Sequence, residues 1–148
     1  MLETARLLAL AVQQHLVDWP GRNGLAVVYS RDPWVESPET TLTQARCDVG
    51  PAGTTSQRIA RRSFSSEHRV FIVLRQFMES PTDAREVELI QWHSAAMQSL
   101  CDHRESFTLT GSTKTATLQR VDTSQNLQHR RDRQVLSFYG EAVFTVSK

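Results

Sequence analysis

Arginine is the residue type whose abundance and spacing in this sequence suggest a chemical role. Of the 17 basic residues only Lys114 and Lys148 are lysines, and all the others are arginines. Five arginines lie between residues 58 and 75, and a second group lies between residues 120 and 133. A guanidinium group favours paired, partly desolvated contacts with carboxylates or phosphates. The pattern predicts an anion-recognising surface, although a nucleotide bias toward arginine codons explains it equally well.

No motif organises these or other reactive side chains into an active site. The sequence lacks the phosphate-binding, dinucleotide-binding, zinc-protease and serine-hydrolase signatures. His93 and His103 are too far apart for an i, i+4 metal pair, and nothing fixes the separation of Asp122 and Asp132. Glu88 lies near His93, but a solvated helix face explains that arrangement better than acid–base chemistry does. We predict a protein that is not an enzyme and that binds no metal and no cofactor.

The cysteines and the overall charge narrow the class of protein further. Cys47 and Cys101 form no Cys-x-x-Cys pair and lie in apolar stretches, which predicts small core residues in a reducing compartment. The formal net charge of +1 gives no electrostatic reason to expect a nucleic acid or an acidic membrane as partner. The apolar run near the N-terminus is too short for a spanning helix or a signal peptide, so we expect a cytoplasmic protein.

The hydrophobic pattern predicts a single domain over residues 1–148. Apolar residues at helical spacing indicate a helix over residues 2–18, which ends at Pro20. The other predicted elements are strands over residues 25–29, 41–49, 70–77, 106–110, 115–121 and 133–146 and a helix over residues 80–103. Together they predict an α+β fold, with a mixed, mainly antiparallel sheet of about five to six strands and two helices packed on it.

Three local features refine this prediction. The strand over residues 70–77 is apolar on both faces, which is typical of an interior strand covered on both sides. Residues 50–66 are polar and contain turn residues, which predicts a mobile loop or a projecting hairpin. Ser80 is the expected cap of the second helix. Its expected buried row is Val87, Ile90, Met97 and Cys101, joined by Leu89, Ala96 and Leu100.

The order of these elements resembles that of the tail-terminator and tail-completion proteins of long-tailed bacteriophages. The segments that carry the resemblance are the helix over residues 2–18, LAVVY (25–29), DVGP (48–51), QRIARR (57–62), EHRVFIVL (67–74), LCDH (100–103) and the final strand over residues 135–146. The resemblance spans nearly the whole chain. It is one of element order and residue type, with no sharp motif.

This resemblance implies a structural protein of the virion. Members of the family are small α/β subunits that form a ring of about six copies on the end of the finished tail tube. The ring stops tube polymerisation and offers a surface to the head connector. The implied partners are other copies of the chain, the tail tube protein and a head-completion or connector protein. The resemblance implies no catalytic residue, and assembly takes place in the cytoplasm of the bacterial host.

A ring subunit needs two different patches that meet head-to-tail. Arginines on one patch and acids on the other would be complementary. The candidate interface residues are Trp34, Glu36, Glu39, Arg58, Arg61, Arg62, Arg69, Arg130 and Arg131. A loop tryptophan such as Trp34 can anchor an interface. An indole side chain that folds back over the edge of the core explains its presence as well. The alternatives are another neck or head–tail joining protein, or a host binding module that uses Trp34 and the arginine-rich segment.

Overall fold

The computed structural model describes residues 2–31, 44–60, 63–78, 80, 82–102, 107–109, 111, 113–125 and 135–146. The elements within these ranges are α1 (Leu2–Asp18), a one-turn 3-10 helix (Pro20–Arg22), β1 (Ala26–Tyr29), β2 (Arg46–Ala60), β3 (Ser63–Phe77), α2 (Asp83–Asp102), β4 (Phe107–Thr108), β5 (Thr115–Gln125) and β6 (Val135–Val146). The strands form one six-stranded sheet in the order β1-β2-β3-β6-β5-β4. Only β1 and β2 are parallel neighbours within it. The predicted α+β class is confirmed, and the sheet curls into a half-barrel.

Both helices pack on the same side of the sheet, which we call the helix face. Leu8, Val12 and Leu16 of α1 recur at helical spacing and are fully buried. They join one apolar cluster with Leu100 of α2 and with alternate residues of the strands, because successive side chains of a strand point to opposite faces. The strand residues of this cluster are Cys47, Val49, Val70, Ile72, Leu74, Ala116, Leu136, Phe138, Ala142 and Phe144.

The buried row of α2 differs from the predicted one. Leu89, Ala96, Met97 and Leu100 are buried as expected, but so is His93. Val87 and Ile90 are instead exposed, by 49% and 39%, and Cys101 is exposed too. The prediction was therefore wrong for Val87, Ile90 and Cys101. It was also wrong for His93, which does not lie on a solvated face.

A contact with β6 explains the rotation of α2 about its axis, which decides which of its residues face the core. Gly140 leaves room for the helix, since a Cβ atom there would lie 2.7 Å from Met97 Sδ and 2.9 Å from His93 Cε1. His93 Nε2 in turn hydrogen-bonds the carbonyl oxygen of Ile72 at 3.0 Å. The helix also begins later than predicted. Thr82 Oγ1 accepts a hydrogen bond from the backbone N–H of Arg85 at 3.2 Å, so Thr82 is the cap in place of Ser80.

The largest difference from the predicted elements concerns residues 50–66, where the sequence indicates a mobile loop or a projecting hairpin and the structure has a hairpin of two long strands. β2 does not end at Val49 but continues to Ala60, and β3 begins at Ser63. The two strands pair from Arg46↔Arg75 to Ala60↔Ser63, with irregularities after Pro51 and Arg58. Long-range pairing with β3 overrides the turn residues, and Pro51 is tolerated because β1 no longer flanks β2 at that point. The mobility of this segment remains a prediction.

The opposite side of the sheet, the second face, is also buried at its centre. β3 lies inside the sheet, and Phe71 and Val73 are buried on this face, as predicted for an interior strand. The pattern of β6 predicts a wetter row on this side, interrupted by Val143, but Ser137 of that row is almost inaccessible and Val143 is fully buried. Only Tyr139, Glu141 and Thr145 of that row are half-buried. Both faces of β3 and β6 therefore exclude solvent over much of their length.

Candidate assembly interface

The β2–β3 hairpin extends beyond the rest of the sheet as a two-stranded arm. β1 pairs with β2 only as far as Val49, and β6 pairs with β3 only from Glu67 onward. The four pairs between Ser56↔Ser66 and Ala60↔Ser63 therefore have no further strand beside them among the described residues. At about 3.3 Å per residue, the arm is roughly 15 Å long. We call residues 56–60 and 63–66 the arm.

Within the described part of the chain, the backbone of the arm is paired only between its own two strands. A two-stranded ribbon alone is marginally stable in water. Beyond the backbone ladder, a hydrogen bond of 3.0 Å joins the hydroxyls of Ser56 and Ser66. Arg58, one of the predicted interface residues, is exposed on the arm and pairs in register with Phe64. A ribbon of this kind becomes more stable if a second surface covers it.

A row of charged side chains crosses the second face at the base of the arm. Arg69 donates to Thr55 Oγ1 at 3.2 Å and lies 3.9 Å from Glu141 Oε1. Arg120 lies 3.8 Å from a Glu67 oxygen and 3.5 Å from an Asp122 oxygen. The Arg120, Asp122 and Glu67 side chains keep 55%, 69% and 41% of their surface exposed. Such exposed pairs contribute little to stability, so these groups remain able to contact another molecule.

Tyr139 adds a hydroxyl group to this row. It donates a hydrogen bond to Glu141 Oε2 at 2.8 Å. Burial, together with this bond, raises the pKa of Tyr139 to about 12. The tyrosine therefore stays protonated under ordinary conditions and holds the carboxylate that faces Arg69.

A buried ion-pair cluster lies at the other end of the second face. Asp48 is completely buried and accepts from Arg46 Nε at 3.0 Å and from Arg75 NH2 at 2.8 Å. The pattern of β2 predicts a half-buried strand with Arg46 and Asp48 on its polar side, and the structure corrects this for Asp48. A buried carboxylate needs such partners, because desolvation without them is costly. Because the Asp48 carboxylate is buried between two arginines, we assign this cluster a role in the stability of the fold.

An open groove of about 670 Å³ runs between the first half of α2 and the start of β1. Leu25 and Trp92 contribute apolar surface above the buried Leu89, while Arg22 and Glu88 carry charge at the groove. Trp92 packs edge-on against Trp19 at 5.4 Å, and its indole N–H donates to the carbonyl of Arg22 at 3.4 Å. No sequence motif indicated this groove. Its only signal was the pair of tryptophans placed 73 positions apart in the chain.

Of the predicted interface residues, Arg58 and Arg69 belong to the described part of the chain. The structure places Arg58 on the arm and Arg69 at its base, where Thr55 and Glu141 contact it. The others lie outside the described residues: Trp34, Glu36, Glu39, Arg61, Arg62, Arg130 and Arg131. Their expected roles remain predictions.

Two other kinds of site are absent from the described residues. Within the described ranges, no cluster of three His, Cys, Asp or Glu side chains could hold a metal ion. None of the described helices is both long enough and apolar enough to cross a membrane. Cys47 is buried, which raises the pKa of its thiol, as expected for an inert core residue.

Comparison with known proteins identifies the fold. No protein-family model matches the chain, and no curated protein matches its sequence. The chain is similar in structure to a chain of the virion of a native gene transfer agent particle, with a TM-score of 0.55 and 15% identity over 94% of this chain and 92% of that one. A second solved structure, whose name describes no function, has a TM-score of 0.52 and 11% identity over 96% and 94% of the two chains. At these identities the likeness shows a shared fold.

Proposed function

We propose that this chain is a structural, non-enzymatic component of a phage or prophage virion. In this proposal it closes into a ring of about six subunits at the end of the tail tube, stops tube growth and joins the tail to the head connector. The observation that carries the proposal is the fold shared, over nearly the whole length of both chains, with a component of a gene transfer agent virion. The resemblance in element order to tail-terminator proteins supports the finer role.

The arm supports an assembly role independently. It leaves the sheet as a two-stranded ribbon, and Arg58 is exposed on it. The two residues between its strands are Arg61 and Arg62. In the assembled ring, these arginines contact acidic residues of a neighbouring copy, such as its Glu36 and Glu39, or acidic residues of the tube.

Deleting the gene from the phage or prophage that encodes this chain tests the function. A tail terminator predicts tubes that grow well beyond the normal tail length. Tails of normal length without heads would instead favour a head–tail joining protein. A purified protein that stays monomeric and binds RNA or DNA with a steep salt dependence would favour the host binding module.

Purified protein tests the ring itself. We expect the native mass to approach a closed ring of about six copies as concentration rises, with rings visible by negative staining. Reversing the charge of Arg61 and Arg62 together should weaken ring formation or tail binding, whereas Arg31→Glu, at an exposed arginine outside the arm, should not. Unchanged assembly and tail binding in the arm variant would remove the arm from the interface.

A further inference from the structure

The outward surface of α2 carries an apolar stripe that the core does not use. Val87 and Ile90 are the large hydrophobic side chains most exposed in the described residues, at 49% and 39%. Asp83 and Ser94 are exposed on the same flank, because residues spaced i, i+4, i+7 and i+11 align along a helix. From Leu89 to Cys101 the helix contains no Asp, Glu, Lys or Arg. We call Asp83, Val87, Ile90 and Ser94 the α2 ridge.

The groove described above lies on a different flank of the same helix. Arg85, Glu88, Trp92 and Ala95 line it at spacings of three and four residues, and neither Val87 nor Ile90 does. Arg85 is engaged by Gln76 and Glu88, each at 2.8 Å. Among the described residues, the Arg22 guanidinium makes one side-chain hydrogen bond, of 3.4 Å, to the carbonyl of Leu25. The groove therefore presents an apolar floor and a cation with little compensation.

These two surfaces are complementary. The ridge offers two aliphatic side chains next to the carboxylate of Asp83, and the groove offers aliphatic and indole surface next to the guanidinium of Arg22. Apolar anchors in a pocket with a polar rim are the usual core of a stable interface. Two different patches on one subunit also satisfy the requirement for head-to-tail association, in which each copy uses one patch on each neighbour.

We propose that the α2 ridge of one copy of this chain inserts into the groove of the next, so that successive copies associate head-to-tail. The inference rests on the proposed ring and names the surfaces that close it. Val87 and Ile90 pack on Leu25 and Trp92 of the neighbour, and Asp83 pairs with its Arg22.

Two complementary variants test the pairing. Val87→Glu/Ile90→Glu inactivates the ridge and leaves the groove intact, while Ala95→Glu narrows the groove, repels Asp83 and leaves the ridge intact. Each alone should weaken self-association at least about 100-fold, because buried aliphatic contacts are replaced by charge. An equimolar mixture should form species of two copies and no larger, since one functional ridge and one functional groove remain. Analytical ultracentrifugation measures both results.

Thr113→Glu, which adds a charge at an exposed position between β4 and β5, is the matched control and should assemble like the wild type. If the double variant does not fold, Ile90→Gln replaces it as the test. This variant keeps a helix-forming, uncharged residue and should weaken association about tenfold. Wild-type-like assembly of either folded variant, failure of the mixture to pair, or a wild type that never self-associates would overturn this inference. Tail length after gene deletion does not depend on these surfaces, so it judges the proposed function separately.

Discussion

The two faces of the sheet are both buried at the centre, but they are closed by different chemistry. On the helix face, Leu136, Phe138 and Phe144 pack into one apolar cluster sealed by α1 and α2. On the second face, Phe71 and Val73 are buried outside that cluster. They share their face with the Asp48 ion pairs and with the charged row at the base of the arm. The same strands therefore combine a conventional core with a face organised by charge.

Hydrogen bonding sharpens this contrast. On the helix face, His93 has a backbone acceptor at 3.0 Å. On the second face, Arg75 Nε and Ser137 Oγ are buried and opposite in register, yet neither has a hydrogen-bond partner within the described chain. An unsatisfied buried polar group costs stability that an apolar contact does not. Tyr29 Oη, which packs against the helix-face cluster, also lacks a partner within the described chain, so the two faces differ in which polar groups they bury. The helix face buries mainly apolar side chains, and we therefore expect it to contribute most of the stability of the fold.

Phe144→Ala should have the largest effect. Phe144 is fully buried on the helix face and packs edge-on against Phe107 at 5.6 Å. Its truncation leaves a cavity, so we expect the free energy of unfolding to fall by about 3–5 kcal/mol in urea denaturation. The exposed control Thr108→Ala, next to Phe107 in β4, should change it little. A loss below about 1 kcal/mol would mean that this face is not the main core.

Asp48→Ala should be the most harmful polar substitution on the second face. It leaves the buried guanidinium of Arg75 without its carboxylate, which should cost about 3 kcal/mol or more. Replacing both groups, as Asp48→Leu with Arg75→Met, should recover most of that loss, because no uncompensated charge remains. A double variant as unstable as Asp48→Ala would show that the cluster does more for the fold than neutralise the buried charge of Arg75.

Two glycines compare steric tolerance on the two faces. A Cβ at Gly50 would overlap the carbonyl oxygen of Ser30, which is backbone, and crowd the Phe71 ring. Gly50→Ala should therefore destabilise the protein by about 1–3 kcal/mol. A Cβ at Gly140 meets the flexible Met97 thioether and the His93 ring, so Gly140→Ala should cost less. Equal thermal shifts for the two variants would contradict this ranking.

Elements with strong local periodicity could be predicted from the sequence. α1 has the predicted bounds because Leu8, Val12 and Leu16 repeat at helical spacing and Pro20 follows. The two apolar faces of β3 correctly indicated an interior strand. The strand count and the α+β class followed from these elements. In each case, the determining information lies within a short stretch of chain.

Features decided by distant partners could not be predicted. The turn residues of 50–56 become strand because residues 66–71 pair with them, and α2 is turned by Gly140, which follows it in the chain by about forty positions. Asp48 has the polar character of an exposed strand position, and only Arg75 and the covered second face explain its burial. For the candidate interface, the arginine spacing indicated the arm, but the groove required three separate segments to come together.

Mild acid should act on the helix face. Burial lowers the pKa of His68 and His93, so the folded protein favours their neutral forms. The stability they contribute is complete above the unfolded-state pKa near 6.5 and is lost as pH falls below it, by at most about 1.4 kcal/mol per pH unit for each histidine. Urea titrations from pH 7.5 to 5.5 measure this loss. His93→Gln should flatten the pH dependence, and an unchanged slope would exclude His93 as its source.

The charged row at the base of the arm should give the smallest effect on stability. Arg120→Gln removes contacts of 3.8 Å and 3.5 Å from a side chain that is 55% exposed. Solvent screens such pairs, so the free energy of unfolding should change by no more than about 0.5 kcal/mol. The same variant tests whether these charges serve a partner, because ring formation or tail binding should weaken more than stability does. Proportional losses of stability and assembly would instead make the row part of the fold, with no separate role in assembly.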